Sequence, residues 1–130
     1  MQPVTRDFND PIEDLWSVSV TGGTPTLVRR NAGDGVYSSD GKWLAYTVFP
    51  KGGGDGRLWI TGAHGGTPRA LASGDVGWLR WSPDGTRLSY DNNGGVYVTD
   101  VAAGTTTQVA NGDQAEWLDN DTLTVGNPTN

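Results

Sequence analysis

Apolar and polar residues alternate along this chain in short runs, each closed by a turn rich in Gly, Asp, Asn or Pro. In residues 43–49, Leu44, Tyr46 and Val48 fall on one side, and Trp43, Ala45, Thr47 and Phe49 on the other, because successive side chains of a strand point to opposite faces. Both sets are largely apolar. A strand with two apolar faces requires cover on both, the situation of a sheet wedged between neighbouring sheets. No stretch of about ten residues carries the i, i+3, i+4 apolar spacing of an amphipathic helix, so the pattern predicts an all-β chain.

Two phrases recur. Ser82-Pro83-Asp84-Gly85 stands between Trp81 and Thr86-Arg87-Leu88-Ser89-Tyr90, and Ser38-Ser39-Asp40-Gly41 stands between Tyr37 and Lys42-Trp43-Leu44-Ala45-Tyr46. Asp40 and Asp84 are 44 residues apart, as are Leu44 and Leu88. The second phrase is Leu15-Trp16-Ser17-Val18, Leu58-Trp59-Ile60-Thr61 and Val96-Tyr97-Val98-Thr99. Each copy leads through a Gly-containing turn into another β-prone run, two of which open at Pro25 and Pro68. Proline lacks the N–H that a ladder uses, which places these runs at a strand start or a sheet edge.

Repetition at about 40–45 residues with several short strands per unit is the signature of propeller blades. Four antiparallel strands, A to D from the centre outward, account for each unit. The chain then reads as a C–D half-blade at 14–30, a blade at 33–73, a blade at 75–110 and an A–B half-blade at 114–126. Trp81 and Trp117 are 36 residues apart, which puts the last A strand in register, with the shorter turn Leu118-Asp119-Asn120-Asp121 behind it. Twelve strands, or three blade equivalents, form an arc: a half-propeller. Its two end halves are complementary, so two copies would complete a six-bladed ring as a dimer, the commonest closed oligomer.

The stretch Trp81-Ser82-Pro83-Asp84-Gly85-Thr86-Arg87-Leu88-Ser89-Tyr90, followed by Gly95-Val96-Tyr97-Val98-Thr99-Asp100, resembles the repeat of TolB-like β-propellers, which are related to the WD type. The likeness extends over nearly all of the chain from about residue 14. It departs at Ser39, where proline is usual, and in the last A–B turn, which lacks both proline and glycine. The resemblance implies rings of six or seven blades, protein partners on the loop face around the central channel, and an extracytoplasmic setting for a parent protein. It also admits a second reading, in which the arc belongs to the propeller of a larger protein such as a prolyl-oligopeptidase-like serine peptidase.

Composition narrows the partners. With 9 Lys and Arg against 15 Asp and Glu, the net charge is −6. No basic stripe is present to displace counterions from phosphates, which argues against nucleic acid and, equally, against an anionic membrane. Residues 1–8 lack the basic and apolar segments of a leader, and no run of about 18 apolar residues suggests a membrane helix. Cysteine is absent, which excludes disulfides and thiolate metal sites.

Candidate chemistry is sparse. His64 is the sole histidine, in a loop with no carboxylate or cysteine companion. There is no Gly-x-Ser-x-Gly elbow for an acyl-transfer nucleophile. Asp119 and Asp121 cluster, but the spacing of an EF-hand calcium loop is missing. Lys51-Gly52-Gly53-Gly54-Asp55-Gly56 lacks the Gly-Lys-Ser/Thr ending and helix of a phosphate loop. Of the six tryptophans, Trp16 and Trp59 share one repeat position and Trp81 and Trp117 another, as inter-blade packing requires. Trp43 and Trp78 lie outside both positions and suit surface or channel contacts, sugar stacking included. The expectation is a non-enzyme, with no catalytic, cofactor or metal residue and with self-assembly as its main property.

Overall fold

The computed structural model describes residues 14–30, 32–50 and 54–129. Residues 1–8, read above for a leader, and Lys51, Gly52 and Gly53 of the Gly-rich loop lie outside the described residues. The described chain folds into strands and turns: β1 (Leu15–Ser17), β2 (Thr26–Arg29), β3 (Ala32–Tyr37), β4 (Trp43–Val48), β5 (Gly56–Gly62), β6 (Arg69–Gly74), β7 (Val76–Trp81), β8 (Arg87–Asn92), β9 (Gly95–Asp100), β10 (Thr105–Trp117) and β11 (Leu123–Thr129). All pairings are antiparallel between sequence neighbours, as short Gly-, Asp- and Asn-rich turns permit. β1 and β2 form a hairpin, β3-β4-β5-β6 a four-stranded meander, and β7 to β11 a five-stranded sheet.

The five-stranded sheet differs from the expected blade at 75–110 followed by a separate A–B half-blade at 114–126. β10 is continuous: residues 105–111 pair with β9, and residues 111–117 pair with β11. Asn111-Gly112-Asp113-Gln114 holds no proline to stop pairing, and Gly112 takes φ 135°, a conformation that bends the strand without ending it. Gly74, 38 residues earlier, takes φ 130° at the corresponding exit from β6, where Asp75 does interrupt the strand. One strand therefore pairs with β9 over its first half and with β11 over its second.

A second repeat is visible in the backbone alone. The register breaks between Gly33 and Val36, between Gly77 and Arg80, and between Asp113 and Glu116. Within each break one residue is left-handed: Asp34 (φ 50°), Trp78 (φ 53°) and Gln114 (φ 53°). A bulge of this kind twists its strand and re-aims side chains. Trp78 thus does occupy a repeat position, with Asp34 and Gln114 as its equivalents, although the residue types share nothing.

The core lies between sheets. Ala45 and Leu58 of the β3–β6 sheet pack with Val76, Leu79, Leu88 and Tyr90 of the next, flanked by Val36, Leu71, Trp81 and Tyr97. On the opposite face of the β3–β6 sheet, Leu44, Tyr46, Val48 and Trp59 pack against Leu15 and Val28 of the hairpin. The alternation read from residues 43–49 is realised as two separate cores, one on each face. Packing between β3 and β7, and between β7 and β10, sets the A strands side by side at the inner edge of each sheet.

Candidate functional site

The A–B turns are built from side chains that fold back on their own backbone. Ser38 Oγ donates to Asp40 Oδ1 at 2.6 Å, Lys42 N donates to the same oxygen at 3.1 Å, and Trp43 N donates to Ser38 Oγ at 3.0 Å. Ser82, Asp84, Thr86 and Arg87 repeat these bonds at 2.7, 3.1 and 3.0 Å. Ser39 in place of proline therefore leaves the turn unchanged. The serine hydroxyls first, and then the Lys42 and Thr86 groups, hold both carboxyls below the ordinary carboxylate value. In the third turn, Leu118 N donates to Thr122 O and Asp121 N donates to Asp119 Oδ1. Asp121 also lies 3.4 Å from Arg87, so the Asp119–Asp121 pair is engaged in a turn and an ion pair.

Successive inner strands are stitched by a recurring bond, from β7 to β3 and from β10 to β7. Trp81 Nε1 donates to Val36 O at 3.1 Å, and Trp117 Nε1 donates to Arg80 O at 3.1 Å. Tyr37 holds the same position in β3, 44 residues before Trp81, and its side chain is 51% exposed. Beside the stitch, Asp91 Oδ2 accepts from the bulge N–H of Gln114 at 3.0 Å, while its Oδ1 is buried without a partner among the described residues. Burial pushes the Asp91 carboxyl above its usual value.

The remaining tryptophans divide by what lies opposite them. Trp59 is packed, and Trp43 is half-buried. Trp78 is exposed, with the Arg80 guanidinium 4.3 Å from its ring centroid. Trp16, the repeat equivalent of Trp59, is 39% exposed on the outward face of the β1–β2 hairpin. His64 is exposed in the turn after β5.

At the other end of the described chain, the same architecture leaves a wedge. Between the β8–β10 face and β11 lies a cavity of about 560 Å³, walled by Val98, Thr107, Val109, Trp117, Leu123 and Val125. Arg87, Asp100 and Asp121 bring charge to its wall. Val109 is 48% exposed there, although its equivalent Leu71, 38 residues earlier, packs against the core between sheets. Among the described residues, β11 pairs with β10 alone and β1 with β2 alone, so each presents one unpaired edge.

No protein-family model matches the sequence, and no curated protein matches it either. Solved structures do. Putative TolB from Agrobacterium tumefaciens superposes with a TM-score of 0.65 at 24% identity, over 78% of this chain and 42% of its own. The chain has a β-propeller fold. The β-propeller domain of the Trilobed protease from Pyrococcus furiosus matches with a TM-score of 0.67 at 13% identity, over 86% of this chain and 40% of that one. An oligogalacturonate lyase in complex with manganese matches with a TM-score of 0.66 at 19% identity, over 87% and 39%. This propeller chain spans about two fifths of the length of these three neighbours. The strands β3–β6, and the strands from β7 to the first half of β10, are arranged as propeller blades, with β3 and β7 as their inner strands.

Proposed function

We propose that this chain is a non-enzymatic propeller module that assembles by completing blades between chains and serves as a structural or protein-interaction scaffold. The observation that carries the reading is the complementarity of two unpaired edges. β1–β2 supplies the C and D positions of a blade, and β10–β11 supplies A and B. Joined between two copies of the 130-residue chain, they give two mixed blades and, with the two whole blades of each copy, a six-bladed ring with twofold symmetry. Covering an apolar patch of about 300–600 Å², at about 25 cal/mol per Å², is worth about 7–15 kcal/mol. That is comparable with the whole stability of a domain, about 5–15 kcal/mol.

The polar groups support a role without catalysis. Ser38 and Ser82 are committed to their turn aspartates, and His64 is exposed in a turn. Protein partners would meet the turns of the loop face, and the TolB resemblance supports an extracytoplasmic setting for the same module. Light scattering on the 130-residue chain tests assembly. A molar mass of twice 13.8 kDa is the expected result, and a stable monomer at 13.8 kDa overturns it.

The match to the propeller domain of the Trilobed protease favours a second reading, as part of the propeller of a larger enzyme. The coding sequence decides between them. A downstream Gly-x-Ser-x-Gly with its Asp and His would identify the enzyme.

A further inference from the structure

One pair of positions recurs three times, and its third occurrence is split between the two ends of the propeller arc. Trp59 of β5 packs in the same core as Val28 of β2. Tyr97 of β9 packs in the same core as Leu71 of β6. In each case an aromatic residue on strand C and an aliphatic residue on strand D of the preceding blade pack against one shared core. The spacings agree, since Trp16, Trp59 and Tyr97 are 43 and 38 residues apart, as are Val28, Leu71 and Val109. Two residues of this series are left over among the described residues: Trp16, with no preceding blade there, and Val109, with no C strand beyond it there. Both are exposed, and Val109 lines the wedge cavity beside β11.

The inner-edge series ends the same way. Val36 O and Arg80 O accept from Trp81 and Trp117. The next carbonyl in the series is that of Glu116, and the remaining aromatic at the donor position is the exposed Tyr37.

We infer that the wedge beside β11 is the socket for Trp16 of a second copy of this chain, and that Tyr37 of that copy donates its hydroxyl to Glu116 O. The inference rests on the blade-completion reading and names the residues that make it specific. In the joined blade, β1 of the second copy lies along the open edge of β11, as β5 lies along β4 and β9 along β8. Its C strand then directs Trp16 back onto Val98 and Val109, as Trp59 and Tyr97 are directed in their own blades. A cavity of about 300–1,000 Å³ holds a drug-sized ligand, so 560 Å³ holds an indole with room for Leu27, which is paired with Trp16 across the hairpin.

A twofold dimer contains this junction twice, each time joining Trp16 of one chain to Val109 of the other, and that arrangement supplies the test. Trp16→Ala and Val109→Ala chains, carrying different mass tags, are each expected to dimerise more weakly than the parent, Trp16→Ala by at least about 30-fold. Mixed together, they should form heterodimers in excess of the random half, because both damaged residues then meet in one junction and the other is intact. Tyr37→Phe is expected to weaken dimerisation by about fivefold, and Val20→Ser, at a fully exposed turn residue, by less than twofold. Circular dichroism identifies any variant that has lost its sheets. If the parent has twice the monomer mass but the two variants mix at random, this junction is wrong and the assembly reading survives. If the parent is a monomer, both fail.

Discussion

The junction between the β3–β6 blade and the β7–β10 blade, and the junction between that second blade and β11, draw on the same repeat positions and end in different states. In the first, Leu58 of strand C and Leu88 of strand B are both 0% exposed, and Leu71 of strand D packs against the same core as Tyr97. In the second, Val96 and Ala115 are buried at the inner end, yet Val109 is half exposed beside a cavity of about 560 Å³. Strand pattern and the tryptophan stitch are shared. What differs is the cover. The second half of β10 and β11 close only the inner half of the face, and the outer half stays exposed among the described residues.

Core substitution should separate the two junctions most widely. Leu88→Ala is expected to destabilise the chain by about 2–5 kcal/mol, since it empties a closed site between sheets. Val109→Ala should change stability by less than about 0.5 kcal/mol at concentrations too low for assembly. Urea denaturation of the two variants measures this, and equal losses would break the comparison. The stitch should behave alike at both junctions. Trp81→Phe and Trp117→Phe each remove one N–H donor to a carbonyl, worth about 1 kcal/mol, and a marked inequality would mean that the second junction is looser at its inner edge too.

Acid titration gives the finest probe, because the carboxyls of the two regions are shifted in opposite directions. Asp40 and Asp84 are held below 3.8, so the stability they contribute is present above that value and is lost as pH falls through their folded values. Asp91, at the second junction, is raised above 3.8. Its contribution is present below 3.8 and is lost as pH rises through its folded value. Thermal melts between about pH 7 and pH 3 should therefore show a shallower acid loss for Asp84→Asn and a steeper one for Asp91→Asn. The opposite order would remove the assigned causes.

Much of this was legible in the residues. Pro25 and Pro68 stand directly before β2 and β6, the Ser-x-Asp-Gly turns form at both places where the phrase occurs, and the two apolar faces of residues 43–49 enter two cores. The bulges were not legible. Asp34, Trp78 and Gln114 share a left-handed backbone but no chemistry, so nothing in their types reveals the repeat. The fusion of two expected strands into β10 was hidden for a related reason, since a glycine such as Gly112 permits a break and a bend equally.

By itself the sequence determined the period, the turns, the order of strands within a blade and the two-sided apolar pattern, because these depend on residues close together in the chain. Tertiary structure decided which members of each repeated series are covered. Trp16 and Trp59 have the same local setting, and one is exposed while the other is packed, because burial depends on the neighbouring sheet and not on the strand that carries the side chain.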